Sequence, residues 1–259
     1  MKLRFEDLVK QKFIHTDGIN PIKFLYLLFH KYIKRNSRKS YSFGGVDLLI
    51  NHFFRNQESG IYLDIGCYHP IQGSNTYLLH KKGWSGINID LDDVSIDTFK
   101  RFRKLDYNKK IAISDTKSKI KLYRPHKRAA GQTVNPGTAA RRDTGDGEII
   151  EIDCDTLNNI IENSFFRNKQ IDFISIDIEG HEVNALKDFN FKKYNPKIIV
   201  AEYNDPELKR VEFYHQNINN VIESDLYKLL ISKGYKFINW HHSDLIFVSD
   251  EVYIQRETF

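Results

Sequence analysis

The stretch IYLDIGCYHPIQGSNTYLLHKKGWSGINID, residues 61–90, decides the fold. It opens with an apolar run ending in Gly66, closes with a second ending in Asp90, and is polar between them. Short runs that are apolar at consecutive positions belong to strands buried on both faces. The middle, SNTYLLHKKG, reads as a helix whose last turn carries Lys81 and Lys82 and whose end is marked by Gly83. Strand, helix and strand in that order make one crossover unit of a parallel sheet.

The alternation continues toward the C-terminus. A helix is expected from about Val94 to Phe102, and KKIAIS supplies a third strand. IIEIDCDTLNNIIE is a strand and then a helix that Asp155 or Thr156 can cap. IDFISIDIEG is a strand followed by the helix HEVNALKDF, and PKIIVAEYND is a strand followed by a helix from about Asn217 to Lys233. YKFINWHHSDLIFVSDEVYIQR holds two strand-like runs, expected as an antiparallel hairpin at a sheet edge. The pattern therefore predicts a doubly wound α/β fold, a mostly parallel seven-stranded sheet with an antiparallel C-terminal edge.

Two regions depart from it. Residues 1–58 read as a separate helical segment, with 59–259 as the catalytic body. This first segment holds eleven Lys/Arg against five Asp/Glu, a balance of +6 where the whole chain carries +5, so the body is close to neutral. PIKFLYLLFHKYIKR, residues 21–35, has the spacing of a basic amphipathic helix. Such a helix packs on the body it precedes or lies on an anionic membrane or a partner. FLYLLF is far shorter than the roughly 20 residues a membrane span needs. The second region, HKRAAGQTVNPGTAARRDTGDG within 124–147, carries five Gly or Pro residues and the cations Arg124, Lys127, Arg128, Arg141 and Arg142, unopposed before Asp143. It is expected as a flexible basic insert, either a lid over an anionic acceptor or a solvated loop. Cys67 and Cys154 are too few for a disulfide framework and have no C-x-x-C spacing, and no secretory signal precedes the body, so a cytoplasmic location is expected.

In open parallel sheets, ligands bind outside the carboxyl ends of the strands. That rule selects Asp64, Gly66 and the loop to Asn75, then Asp90, Asp115, Asp177 with Glu179, and Glu202 with Asn204. The loop after Gly66 lacks the G-x-G-x-x-G of a dinucleotide site, which favours a nucleoside cofactor without a pyrophosphate. Asp90 is placed to accept hydrogen bonds from two ribose hydroxyls. SIDIEGHE sets Asp177, Glu179, His181 and Glu182 at one strand-to-helix switch. Carboxylates beside an imidazole can orient an acceptor, take its proton or ligate a hard cation, although Glu179 and Glu182 also suit the first turn of a helix.

LDIG, INID, KKIAISD, IDFISIDIEGHEVNALKDF, PKIIVAEYN and DLIFV, in that order between Gly60 and Val248, resemble the FkbM-type methyltransferases, a branch of the class I S-adenosylmethionine-dependent enzymes. The resemblance implies that Asp64 and Gly66 line the methionine portion, that Asp90 holds the ribose and that Asp115 lies close to the adenine. The family's usual A-N-x-G loop is replaced here by CYHPIQGSNT, in which Ser74 and Asn75 are the expected cofactor contacts. The activity implied is O-methylation of a sugar, glycan or related small metabolite.

Asp177, Glu179, His181 and Glu202 are the expected catalytic residues. A divalent cation is the less favoured expectation, with His69, His181, His241 and His242 as further ligand sources, and no residue is assigned to a metal. A nicotinamide-dependent oxidoreductase and a non-enzymatic nucleotide- or glycan-binding protein are the rival readings. Nucleic acid is a poor partner for a neutral body without an N/D-P-P-Y motif. The expected partners are a small-molecule or glycan acceptor, a membrane or protein contact through the basic helix, and a second copy in an oligomer.

Overall fold

A computed structural model describes residues 38–124, 132–141, 147–203 and 216–255, together with Phe24, Leu25, Leu28 and Phe29. The chain divides into two units, Met1–Lys39 and Ser40–Phe259. In the first, helical backbone is described at Phe24, Leu25 and Leu28, and the rest of the helix expected over 21–35 lies outside the described residues. Among the described residues no helix is long and apolar enough to cross a membrane.

The second unit begins well before residue 59. Helix α1, Val46–Phe53, turns Val46 and Ile50 into a core shared with Phe54, Tyr62, Leu79, Trp84 and Phe173. Its entry is tied down by Asp47, which accepts hydrogen bonds from Ser40 Oγ (2.6 Å), the Tyr41 amide (2.7 Å) and Ser42 Oγ (2.9 Å). The expected boundary after residue 58 thus moves to Ser40.

The main sheet is built from β1 (Ile61–Ile65), β2 (Ser85–Asp90), β3 (Tyr107–Lys110), β7 (Phe173–Ile176), β8 (Ile198–Glu202), β9 (Tyr235–His241) and β10 (Asp244–Ser249). Their order is β3-β2-β1-β7-β8-β10-β9. All neighbours from β3 to β8 pair in parallel, and β10 pairs antiparallel with both β8 and β9. The closing hairpin forms the expected antiparallel edge, with β10 next to β8 and β9 outermost.

The connecting helices are short: α2 (Tyr77–Lys81), α3 (Asp93–Phe102), α5 (Leu157–Glu162), α6 (Glu182–Leu186), α7 (Phe191–Tyr194), α8 (Ile218–Glu223) and α9 (Asp225–Ser232), with α10 (Asp250–Gln255) after the last strand. Asp92 caps α3 by accepting from the Ser95 amide, and Thr156 caps α5 by accepting from that of Asn159. The helix expected over 217–233 is broken at Ser224, whose hydroxyl caps α9. Alternate strand positions feed two cores: Leu63, Ile65, Ile87 and Ile89 meet Leu157, Ile160, Leu186 and Leu230, whereas Tyr62, Phe173 and Ile198 meet α1 and α2.

The strands on either side of the insert expected over 124–147 form a second sheet. β4 (Ala112–Ile113), β5 (Ser118–Arg124) and β6 (Glu148–Asp155) pair in the order β4-β6-β5, and α4 (Pro136–Arg141) follows a bridge between Tyr123 and Thr133. KKIAIS is accordingly split at Ile111, with Lys109–Lys110 in one sheet and Ala112–Ile113 in the other. Arg124 faces Glu148 across the β5–β6 pair at 3.6 Å, so it is opposed. Lys127, Arg128 and Arg142 lie outside the described residues.

Candidate active site

A cavity of about 320 Å³ opens at the carboxyl ends of β1, β2 and β7, the size range of small-molecule sites. Gly66 and Tyr68 line it after β1, Asp90–Asp92 after β2, and Asp177–Glu179 after β7. Ile111–Ile113 and Gln132–Val134 complete the wall on the side of the second sheet, and Phe43 enters from the turn before α1.

Three strand ends are drawn together at Gly66. Its φ is +76°, and a Cβ there would lie 1.8 Å from the Asp177 carbonyl oxygen, so only glycine fits. The Gly66 and Cys67 amides donate to the Ile89 carbonyl at 2.8 and 3.1 Å. Beside them the Asp90 carboxylate accepts from the Tyr68 amide (2.7 Å) and the Asp92 amide (2.9 Å). Burial pushes its pKa up. Each carboxylate oxygen keeps a lone pair after these bonds, enough for a vicinal diol.

The loop after β1 is organised by Arg103, a residue the sequence reading did not single out. Its guanidinium is 1% exposed and donates to the Pro70 carbonyl (2.6 Å), Thr76 Oγ1 (2.7 Å) and Ser74 Oγ (2.9 Å), while resting on the Phe99 ring. Thr76 in turn donates to Asp64 at 2.5 Å, and Arg103 stands 4.0 Å from the same carboxylate. Asp64 is pushed up to about 6 by burial, against the lowering charge of Arg103. Asp64 and Ser74 are thus turned into this buried network, and Asn75 donates to Ser175 Oγ at 3.1 Å. None of these three lines the cavity, whereas Gly66 and Asp90 do.

The turn after β7 is acidic. Asp177, Glu179 and Glu202 each bring a carboxylate oxygen within 4.8 Å of the others. Burial raises the Glu202 pKa well above the usual carboxylate range, and the charges of Asp177 and Glu179 with a hydrogen bond to Asp177 raise it further. Glu182, pushed up to about 7 by burial, accepts from the amides of Ile178 (3.0 Å) and Gly180 (3.2 Å) and so closes the turn. Glu179 adopts φ +59°, and the second-sheet region clamps it there: Thr133 Oγ1 donates to the Glu179 carbonyl (2.9 Å) and Asn135 Nδ2 to that of Gly180 (2.6 Å). Asp244, at the start of β10, pairs in register with Glu202 and is pushed up to about 7 by burial and by the charge of Asp177.

His181 is not part of this cluster. It is buried beside Ser114 Oγ at 3.4 Å, and burial lowers its pKa. Asp115 forms an ion pair with Lys187, which lowers its pKa, and does not line the cavity. His69 Nδ1 accepts from the amides of Ile71 and Gln72, and His241 reaches the Gly44 carbonyl. His242 occupies the β9–β10 turn with φ +56°. Asn204 lies outside the described residues.

The family model described as the methyltransferase FkbM domain matches residues 64–236, more than half of the chain. Among solved structures the chain is similar to methyltransferase FkbM from Methylobacillus flagellatus KT, at 16% identity over 74% of this chain and 44% of that one, with a TM-score of 0.46. This chain thus spans less than half of that protein's length. It is also similar to a TehB-like SAM-dependent methyltransferase from Corynebacterium glutamicum (13% identity, 89% and 100% of the two chains, TM-score 0.39). A third is an O-methyltransferase from Bacillus cereus in complex with SAH (12% identity, 90% and 92%, TM-score 0.40). No curated protein matches the chain.

Proposed function

Because the chain belongs to the FkbM methyltransferase family, we propose that it transfers the methyl group of S-adenosylmethionine to a hydroxyl of a sugar, glycan or related small metabolite. The observation that carries this reading is one cavity lined both by Asp90 and by the carboxylates Asp177 and Glu179. The residues present fit the cofactor. Leu91, Ile111, Ala112 and Ile113 give an apolar wall for a purine, Asp90 a bidentate acceptor for the ribose diol, and Gly66 an approach free of side chain.

The sulfonium supplies an electrophilic methyl group, so the chemistry left to the protein is orientation and proton removal. Asp177 and Glu179 accept the hydrogen of the acceptor hydroxyl and take its proton as the new bond forms. Glu202, whose pKa is raised by burial, shares a hydrogen bond with Asp177 and so holds that carboxylate in place. Phe43 and Tyr68, both exposed aromatic rings at the cavity, offer flat apolar faces to the C–H side of a sugar ring. The same reading puts the protein in the cytoplasm, where the free thiols Cys67 and Cys154 stay reduced, with the basic 21–35 segment as its contact for a membrane or a partner. Cell fractionation with and without that segment tests the last point.

Isothermal titration with S-adenosylmethionine and with NAD⁺, on the unaltered chain and on Asp90→Ala, tests the assignment. Two hydrogen bonds to a charged acceptor contribute about 1.5–3 kcal/mol each, so the methyl donor should bind and the variant should lose roughly a hundredfold to ten-thousandfold in affinity. Binding of NAD⁺ without the methyl donor would replace the reading by an oxidoreductase. With donor binding established, hydroxylated glycans are screened for transfer of labelled methyl.

A further inference from the structure

Gln132 lines the cavity, and its side-chain oxygen Oε1 is buried with no donor among the described residues. Leaving a buried amide oxygen unpaired is costly and uncommon, so its lone pairs call for a partner. The place of the residue is fixed. Thr133, the next in the chain, exchanges backbone hydrogen bonds of 2.8 and 3.2 Å with Tyr123, and its hydroxyl donates to the Glu179 carbonyl at 2.9 Å. Gln132 therefore stands on a tethered backbone. Ile111, Ala112, Ile113 and Val134 belong to the same side of the cavity, the apolar surface that suits a purine.

A purine lying there still has a polar edge to satisfy. Asp115, which the family resemblance sets beside the adenine, is in an ion pair with Lys187 and does not line the cavity. Among the described residues that do line it, Gln132 alone carries a donor and an acceptor on one planar side-chain group. Adenine sets an amine donor beside a ring-nitrogen acceptor, which is the complement of a carboxamide. The terminal torsion of a glutamine is broad, so the amide turns toward a ligand at little cost. We propose that Gln132 reads the adenine of the methyl donor, its Oε1 accepting from the 6-amino group and its Nε2 donating to the adjacent ring nitrogen. The inference rests on the S-adenosylmethionine reading and deepens it: the base is recognised by the stretch between β5 and β6, not by the residue that follows β4.

The test is isothermal titration of the full chain with S-adenosylhomocysteine and with its analogue carrying hydrogen in place of the 6-amino group. The analogue keeps every ring nitrogen, so only the contact to the amine is lost. The unaltered chain should bind S-adenosylhomocysteine about tenfold or more tightly than the analogue. Gln132→Leu should bind S-adenosylhomocysteine about tenfold or more weakly, and should bind the two ligands within about twofold of each other. Gln132→Ala is the second variant, with the same expectation, should thermal unfolding show that Gln132→Leu is not folded. Equal binding of the two ligands by the unaltered chain, or a preference for the amine that survives in a folded variant, overturns the proposal and leaves the methyltransferase reading intact. Binding of neither ligand by the unaltered chain removes both.

Discussion

Replacing Arg103 by Met keeps the length of the side chain and removes its charge. Three donated bonds of 2.6–2.9 Å to Pro70, Ser74 and Thr76 vanish, and Asp64 loses the cation 4.0 Å away. Breaking a buried charge pair from one side costs about 3–5 kcal/mol, a large share of the roughly 5–15 kcal/mol that holds a domain together. For a chain of this size that is a fall in Tm of roughly 6–20 °C. The loss is also pH-dependent, with a sign that can be worked out. Asp64 is raised from 3.8 to about 6 in the folded state, so its contribution is fully present below 3.8 and is lost as pH rises through 6. Without Arg103 the folded pKa climbs further, and the loss continues to higher pH. The deficit of Arg103→Met should therefore be smallest near pH 5 and largest near pH 8, and Asp64→Asn in the same background should flatten it. Arg103→Lys should recover little, because an ammonium cannot fork to Pro70, Ser74 and Thr76 at once. The assay is thermal and urea unfolding across that pH range, with S-adenosylmethionine affinity measured in parallel. A Tm within 2 °C of the unaltered chain at pH 8, or a deficit that shrinks as pH rises, would refute the reasoning.

Gly66→Ala forces a Cβ to 1.8 Å from the Asp177 carbonyl at a φ of +76°, and should cost more than about 2 kcal/mol in urea unfolding, beyond the 1–2 kcal/mol of the left-handed backbone alone. Asn135→Ala removes the 2.6 Å bond to Gly180, which should cost about 1 kcal/mol of stability, lower the methyl-transfer kcat, and leave donor affinity within twofold in a titration.

Much of the sheet was legible because β1, β2, β7 and β8 are buried on both faces and therefore apolar at consecutive positions. Gly66, Asp90, Asp177 and Glu179 followed from the same fact, since a residue at a strand end has little choice of place. Asp64 and Ser74 were found as positions but not as directions. Both turn away from the cavity toward Arg103, which sits 39 and 29 residues further along the chain and reads locally as one more cation at the end of a helix. Strands were expected at KKIAIS and IIEIDCD, but not their pairing in a second sheet. β5 and β6 alternate charged and apolar residues, and their pairing spans a glycine- and proline-rich stretch in which Val134 and Ala139 are the buried apolar residues among those described. Yet Thr133 and Asn135 in that stretch hold the carbonyls of the acidic turn.

Asp244 shows what strand direction adds beyond strand identity. DLIFV was readable as a strand, but an aspartate at its first position carries no signal of which strand end it will stand beside. In a parallel neighbour of β8, the residue beside Glu202 would be the last of its strand. β10 runs the other way, so the residue brought to that edge is its first, and Asp244 meets Glu202 in register. The insertion of one reversed strand between β8 and β9 thus sets a buried aspartate beside the end of β8 without any change in the local pattern of the sequence. A chain that placed β10 outside β9 would keep every apolar run and lose the register of Asp244 with Glu202.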